Sequence, residues 1–280
     1  MKLKKIFALL SLPSVFFFAS CEKGETEPDP EFETTYKLSE DQAISEGIND
    51  DATVVFFEAT VGAGLYRVNG TVETTNTLSC ATVTVTPQNT FPKTITIDFG
   101  TSGCVSADGI PRKGKINIIL SDYLHITGTT ATMTFDNYYA AGFKVEGTIL
   151  WTNTSTQNAF SWTRQITNGK VIEPIGGYYW THEGTKTVVQ TAGATTPLNL
   201  LDDVYSVTGS HTVVNPAGKT RTVTITEALE KKTTCHHVTK GKVKVQGTTH
   251  FAILDYGDGT CDNIATISID GNLPRTILLP

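Results

Sequence analysis

Cys80, Cys104, Cys235 and Cys261 are the residues whose type and spacing bear most directly on chemistry. Cys80 opens Cys80-Ala-Thr-Val-Thr-Val. The strand pattern Thr94-Ile-Thr-Ile-Asp98-Phe-Gly100 follows, and then Cys104. Cys235 opens Cys235-His-His-Val, with Phe251-Ala-Ile-Leu-Asp255-Tyr-Gly257 and Cys261 in the same order. The cysteine separations are 24 and 26 residues, and each unit runs on into another apolar, strand-like stretch. Agreement in order and spacing reads as an internal repeat. The repeat pairs Cys80 with Cys104 and Cys235 with Cys261, with cross-unit pairing as the alternative. Closing a loop of about 25 residues contributes on the order of 3 kcal/mol. No CxxC pair is present, so the spacing favours disulfides over a metal.

Other chemistry-bearing residues admit plainer readings. Asp98-Phe-Gly100 and Asp255-Tyr-Gly257-Asp258-Gly259 resemble oxygen ligands for calcium. They lack the alternating acids and closing glutamate of an EF-type loop, and Asp before Gly is an ordinary turn recipe. His236 and His237, if on a strand, point to opposite faces and cannot share a metal. Tyr178 and Trp180 fall on one face of an alternating run and could stack on a sugar, as could Trp151 and Trp162; the expected alternative is a packed aromatic core. No GxSxG elbow, Walker loop, HExxH helix or GxGxxG turn is present. The sequence therefore assigns no catalytic residue, metal or cofactor, and the expectation is a non-enzymatic role.

The fifth cysteine belongs to the N-terminus. Lys2, Lys4 and Lys5 precede an apolar run from Ile6 to Phe18, then Ala19, Ser20 and Cys21. A basic start, a short apolar stretch and small residues before a cleavage point describe a secretory signal over 1–20. Phe18-Ala19-Ser20-Cys21 resembles the bacterial lipobox, which implies lipidation of Cys21. Two or more acyl chains then hold a body at a membrane, at about 0.8 kcal/mol per buried methylene. Residues 21–37 begin acidic and proline-bearing and read as a flexible tether. Cys21-Glu22-Lys23 with the acids beyond it resembles an export signal to the outer membrane and cell surface; the periplasmic face is the alternative.

Composition sets the rest. The net charge is −6, and losing the three lysines of the signal takes it to −9. That acidity, without a basic patch, excludes nucleic acid as a partner. Abundant Thr favours strands, and the 24 Gly mark turns and bulges. Val-x-Gly-Thr/Ser recurs at Val68, Val145, Val207 and Val245, each in alternating context, as expected where a sheet bends. Turn signals such as Asn168-Gly169 and Asp270-Gly271 leave short connections suited to antiparallel pairing.

The reading is an all-β protein: an antiparallel sandwich, curved sheet or open barrel of roughly a dozen strands. It has two similar halves, 65–170 and 171–280, forming one associated unit. Ser39-Glu-Asp-Gln42 resembles a capping box, which places a short helix within 38–64; Thr226–Lys231 offers at most one further turn.

The lipobox cysteine and acidic tether, together with Phe135-Asp-Asn-Tyr-Tyr, Lys144-Val-Glu-Gly-Thr and Leu254-Asp-Tyr-Gly-Asp-Gly-Thr-Cys-Asp262, resemble a family of Bacteroidota lipoproteins. The resemblance covers most of the mature chain. It implies a Bacteroidota source and an outer-membrane address, and it carries over no activity or site residue. The partners expected are a membrane, through Cys21, and either a glycan or an apolar ligand. Oligomeric state is not legible.

Overall fold

The computed structural model describes residues 29–66, 72–157 and 159–280. The signal, Cys21 and the first half of the tether, through residue 28, lie outside the described residues, as does the Val68 motif.

Among the described residues one α-helix, α1 (Pro30–Gly62), runs for 33 residues, which at 1.5 Å per residue is about 50 Å. It starts earlier than the sequence suggested and takes up the second half of the expected tether. The cause is local: the Asp29 side chain accepts from Glu31 N at 2.9 Å, Pro30 fills the first turn, and Glu31 and Glu33 face the positive helix end. Ser39 is not a cap; it is buried inside the helix, its Oγ donating to Thr35 O. The helix ends where Gly64 turns left-handed at φ 71°, with Leu65 N donating to Thr60 O and Gly64 N to Val61 O. That is a Schellman termination.

Among the described residues, fourteen strands form a single antiparallel sheet around this helix. The first are β1 (Thr82–Thr86), β2 (Lys93–Asp98), β3 (Cys104–Val105), β4 (Pro111–Leu120) and β5 (Thr130–Ala140). Next come β6 (Phe143–Asn153), β7 (Ser161–Ile172), β8 (Tyr179–Ala192), β9 (Val204–Val214) and β10 (Thr220–Lys232). The last are β11 (Lys240–Gln246), β12 (Phe251–Asp258), β13 (Ile264–Ile269) and β14 (Arg275–Leu278). Each strand pairs with the next, except that β2 pairs directly with β4 and β3 sits aside on β4. The sheet stays open, with β1 and β14 as its edges. The boundary expected between halves falls inside β7, so the two halves share one continuous sheet. Thr226–Lys231 is strand, within β10, and no helical turn forms there.

Alternation makes the sheet two-faced. In β2 and β4, Ile95, Ile97, Ile116, Ile118 and Leu120 are fully buried, while the intervening Thr96, Asn117 and Ile119 point outward. Mid-strand irregularities bend the sheet: the register slips at Gly114 in β4, Gly147 in β6 and between Ile166 and Gly169 in β7. At Gly114, φ is +81° and a Cβ would sit 2.0 Å from Asn137 O, so no side chain fits.

Both disulfides join the expected partners, Cys80–Cys104 and Cys235–Cys261. The paired Asp-aromatic-Gly segments also behave alike. Asp98 Oδ1 accepts from Gly100 N at 2.8 Å and Asp255 Oδ1 from Gly257 N at 2.9 Å, while Phe99 and Tyr256 are buried. Asp98 does so where β2 ends, as a turn would require, whereas Asp255 does so within β12, so the expected turn is absent there. Cys235-His-His differs from expectation: it lies in a bend between β10 and β11, not on a strand.

Candidate functional site

Because the sheet surrounds it, α1 has no purely solvent-facing side, and its buried positions include Asp41, Gln42, Ser45, Glu46, Asn49, Asp50 and Glu58. The sheet answers with inward cations. Arg164 on β7 binds Glu46 at 2.7 Å and Asp50 at 2.8 Å, and Lys186 on β8 also pairs with Glu46. Arg221 on β10 reaches Glu31 at 2.9 Å, and Arg112 on β4 joins Asp51 and Asp108. Burial alone would raise the Glu46 carboxyl; Lys186 and Arg164 outweigh it and hold the group well below the usual carboxylate range. Burial depresses the Lys186 ammonium and takes His182 down to about 4. Burial lifts Asp41 to about 6 despite Lys37 beside it.

Tyr178 and Trp180 belong to this interface. Trp180 is fully buried, with its indole N–H donating to Ser45 Oγ at 2.6 Å. The Tyr178 hydroxyl donates to Asp41 Oδ2 at 3.0 Å. Trp180 therefore offers no face to a sugar, and Tyr178 is half-buried with Lys37 Nζ 4.8 Å from its ring centre, so the pair forms a seam between the helix and the start of β8. Its cause is the polar helix, which supplies the partners that let an indole and a phenol be buried.

The other two tryptophans are placed differently. Trp151 on β6 lies opposite Arg164 on β7, and Trp162 lies two residues before Arg164 on the same inward face. Trp162 continues laterally to Val188 on β8 and Val207 on β9. From the helix, Asp50, Thr53, Val54 and Phe57 approach at the three- and four-residue spacing of one helical face. Phe57 packs edge-on against Trp162 at 4.9 Å, and the two indoles are 5.6 Å apart. Between these walls is a chamber of about 40 Å³.

Four chamber-lining side chains carry buried polar atoms without a partner among the described residues: Trp151 Nε1, Trp162 Nε1, Arg164 Nε and Asp50 Oδ2. Buried polar groups are ordinarily satisfied, and each orphan costs about 1–3 kcal/mol. Three unpaired donors and one unpaired acceptor around one cavity call for a molecule that supplies their complements.

The chamber adjoins a wider vestibule of about 250 Å³, and Val54, Lys231 and Thr233 line both. The vestibule is polar, walled by Thr75, Thr77, Thr234, Asp51 and Asp108 and by the Cys235-His236 bend. Lys231 Nζ is held by Cys235 O and by His236 O at 2.7 Å, and burial depresses its ammonium.

A larger open groove of about 630 Å³ lies at the C-terminal end of α1, beside edge strand β1. Phe91 and Tyr123 meet there at 4.9 Å. Its principal polar side chains already have partners: Lys93 Nζ donates to Pro87 O and Gln88 O, Gln88 Nε2 donates to Val85 O, and Glu58 is held by Thr75 and Thr77. Size favours the groove, whereas unmet hydrogen-bonding capacity favours the chamber.

Sequence reasoning singled out Trp151 and Trp162 as aromatics and did not connect them to Asp50, Arg164 or Lys231. The available signal was the alternation that puts Trp162 and Arg164 on one face. No protein-family model, curated protein or solved structure matches the chain.

Proposed function

We propose that this chain is an envelope lipoprotein with a binding role, held to the outer membrane through lipid on Cys21 and displayed at the cell surface. Its folded body takes a small molecule into the chamber and vestibule between α1 and β6–β10. The observation that carries the binding reading is the set of four unpaired polar atoms around the chamber. A binding role also accords with the carboxylates lining the chamber, Asp50 and Glu58, being engaged by Arg164 and by Thr75 and Thr77 rather than poised for proton transfer.

The geometry favours a small, polar-headed ligand over a lipid. An apolar-ligand carrier calls for an apolar cavity of several hundred Å³, and the aromatic chamber offers about 40 Å³. A glycan in the groove is the second reading, favoured by the half-exposed Tyr123 ring on Phe91.

Two experiments test the proposal. Metabolic labelling with an alkynyl fatty acid is expected to tag the wild type and not Cys21→Ser; equal labelling of both contradicts the anchor. For binding, the indole N–H resonances of Trp151 and Trp162 are followed while acetamide, glucose, butyrate and benzyl alcohol are each added to about 10 mM, which saturates a millimolar site. At least one is expected to move them in the wild type and not in Val207→Leu, which fills the chamber. Unmoved resonances throughout overturn the site.

A further inference from the structure

We propose that the ligand is an N-acetylated amino sugar, whose acetamido group enters the chamber while the sugar ring rests in the vestibule. The inference rests on the chamber being a ligand site and adds the chemical class of what it takes.

The match is one of group to group. An acetamido group has a carbonyl oxygen, an amide N–H and a methyl. The carbonyl supplies two lone pairs, enough for two of the three N–H donors that lack partners, on Trp151, Trp162 and Arg164. The amide N–H supplies the donor that Asp50 Oδ2 lacks. The methyl finds apolar surface on Phe57, Val188 and Val207. A chamber of about 40 Å³ has room for roughly three water-sized groups, which is the methyl, carbon and oxygen of an acetyl.

Other small groups fit worse. An alkyl chain leaves all four polar atoms unsatisfied, and a carboxylate or phosphate sets a second anion against the open oxygen of Asp50. A bare hydroxyl serves Asp50 but spans fewer donors and leaves the aromatic walls without a methyl. Beyond the chamber, the vestibule of about 250 Å³ is walled by threonine hydroxyls and by the Asp51 and Asp108 carboxylates. These are partners for ring hydroxyls, and Arg112 keeps both acids compensated.

The test uses the mature chain with labelled tryptophan and four probes: acetamide, N-acetylglucosamine, glucosamine and N-acetylglycine. Acetamide and N-acetylglucosamine are expected to shift the Trp151 and Trp162 indole N–H signals. The Trp180 signal, whose N–H is held by Ser45, stays in place and reports an intact fold in every variant. Glucosamine, lacking the acetyl, leaves all three unmoved. Val207→Leu and Asp50→Asn each weaken N-acetylglucosamine by about tenfold or more, and Tyr123→Ala leaves it unchanged. Equal shifts from glucosamine overturn the inference, and tighter binding of N-acetylglycine overturns the sugar assignment. If butyrate or benzyl alcohol moves the indoles and no acetamide does, the chamber remains a binding site and the acetamido assignment fails. If no probe moves them, both fail.

Discussion

Glu46 on α1 and Arg164 on β7 meet at 2.7 Å with each side chain only 1 % exposed, at the centre of a helix-to-sheet interface built from charge. Truncating one member leaves the other ionised and unsolvated, which costs about 3–5 kcal/mol. Glu46→Ala, which strands Lys186 and leaves Arg164 with Asp50 alone, is expected to lose that much in urea denaturation. Lys37→Ala, at the partly exposed end of the same helix, is expected to lose under about 1 kcal/mol. Equal losses from the two would show that the buried network does not organise the helix.

Bending at mid-strand predicts a graded response to glycine replacement. Gly114→Ala must place a methyl against the Asn137 backbone, whereas Gly109, with a similar positive φ, has nothing within 4 Å of its Cβ. Gly109→Ala is expected to cost about 1 kcal/mol from backbone strain alone, and Gly114→Ala substantially more. Thermal melts of the two variants measure the difference.

Acid sensitivity follows from His182. Burial holds its imidazole at about 4, below an ordinary 6.5. Above pH 6.5 neither folded nor unfolded chain carries the proton. As pH falls the unfolded chain takes it first, so stability declines by about 3 kcal/mol as pH approaches 4. Asp41 acts in the opposite sense. Raised to about 6, it is more readily protonated when folded, so its contribution improves as pH falls below 6. His182→Gln is therefore expected to flatten the decline between pH 6.5 and 4, and Asp41→Asn to steepen it. Identical denaturation profiles in all three proteins would contradict both assignments.

The disulfides predict a local effect each. Cys80→Ser/Cys104→Ser and Cys235→Ser/Cys261→Ser should each cost about 3 kcal/mol, since the loops closed are of similar length. Peptide mapping without reduction should recover Cys80 with Cys104; a peptide joining Cys80 to Cys235 would refute the pairing.

Much of the fold was legible because β-structure writes its period plainly. Ile95, Ile97, Ile116 and Ile118 alternate with polar neighbours, and Ala141-Gly142, both left-handed, close the β5–β6 hairpin as a two-residue turn should. The long helix was mostly hidden for the opposite reason. A helix is normally betrayed by an apolar stripe, but α1 also meets Arg112, Arg164, Lys186 and Arg221, so its inward residues mix acids and amides with Leu38, Ile48, Val55 and Phe56. Its outer positions are covered as well, and no face stands out. The site was obscured by the same exchange. Trp180 and Trp162 look alike in sequence, and only Ser45 on the helix gives the Trp180 nitrogen a partner and leaves that of Trp162 without one.

The most direct test of the account is a crystal structure grown with N-acetylglucosamine. The account predicts the acetyl oxygen within about 3.2 Å of the Trp151 or Trp162 indole nitrogen, the amide nitrogen at Asp50 Oδ2, and the ring among the vestibule threonines. Ordered water alone in the chamber, or sugar density on Tyr123 in the groove, would contradict it.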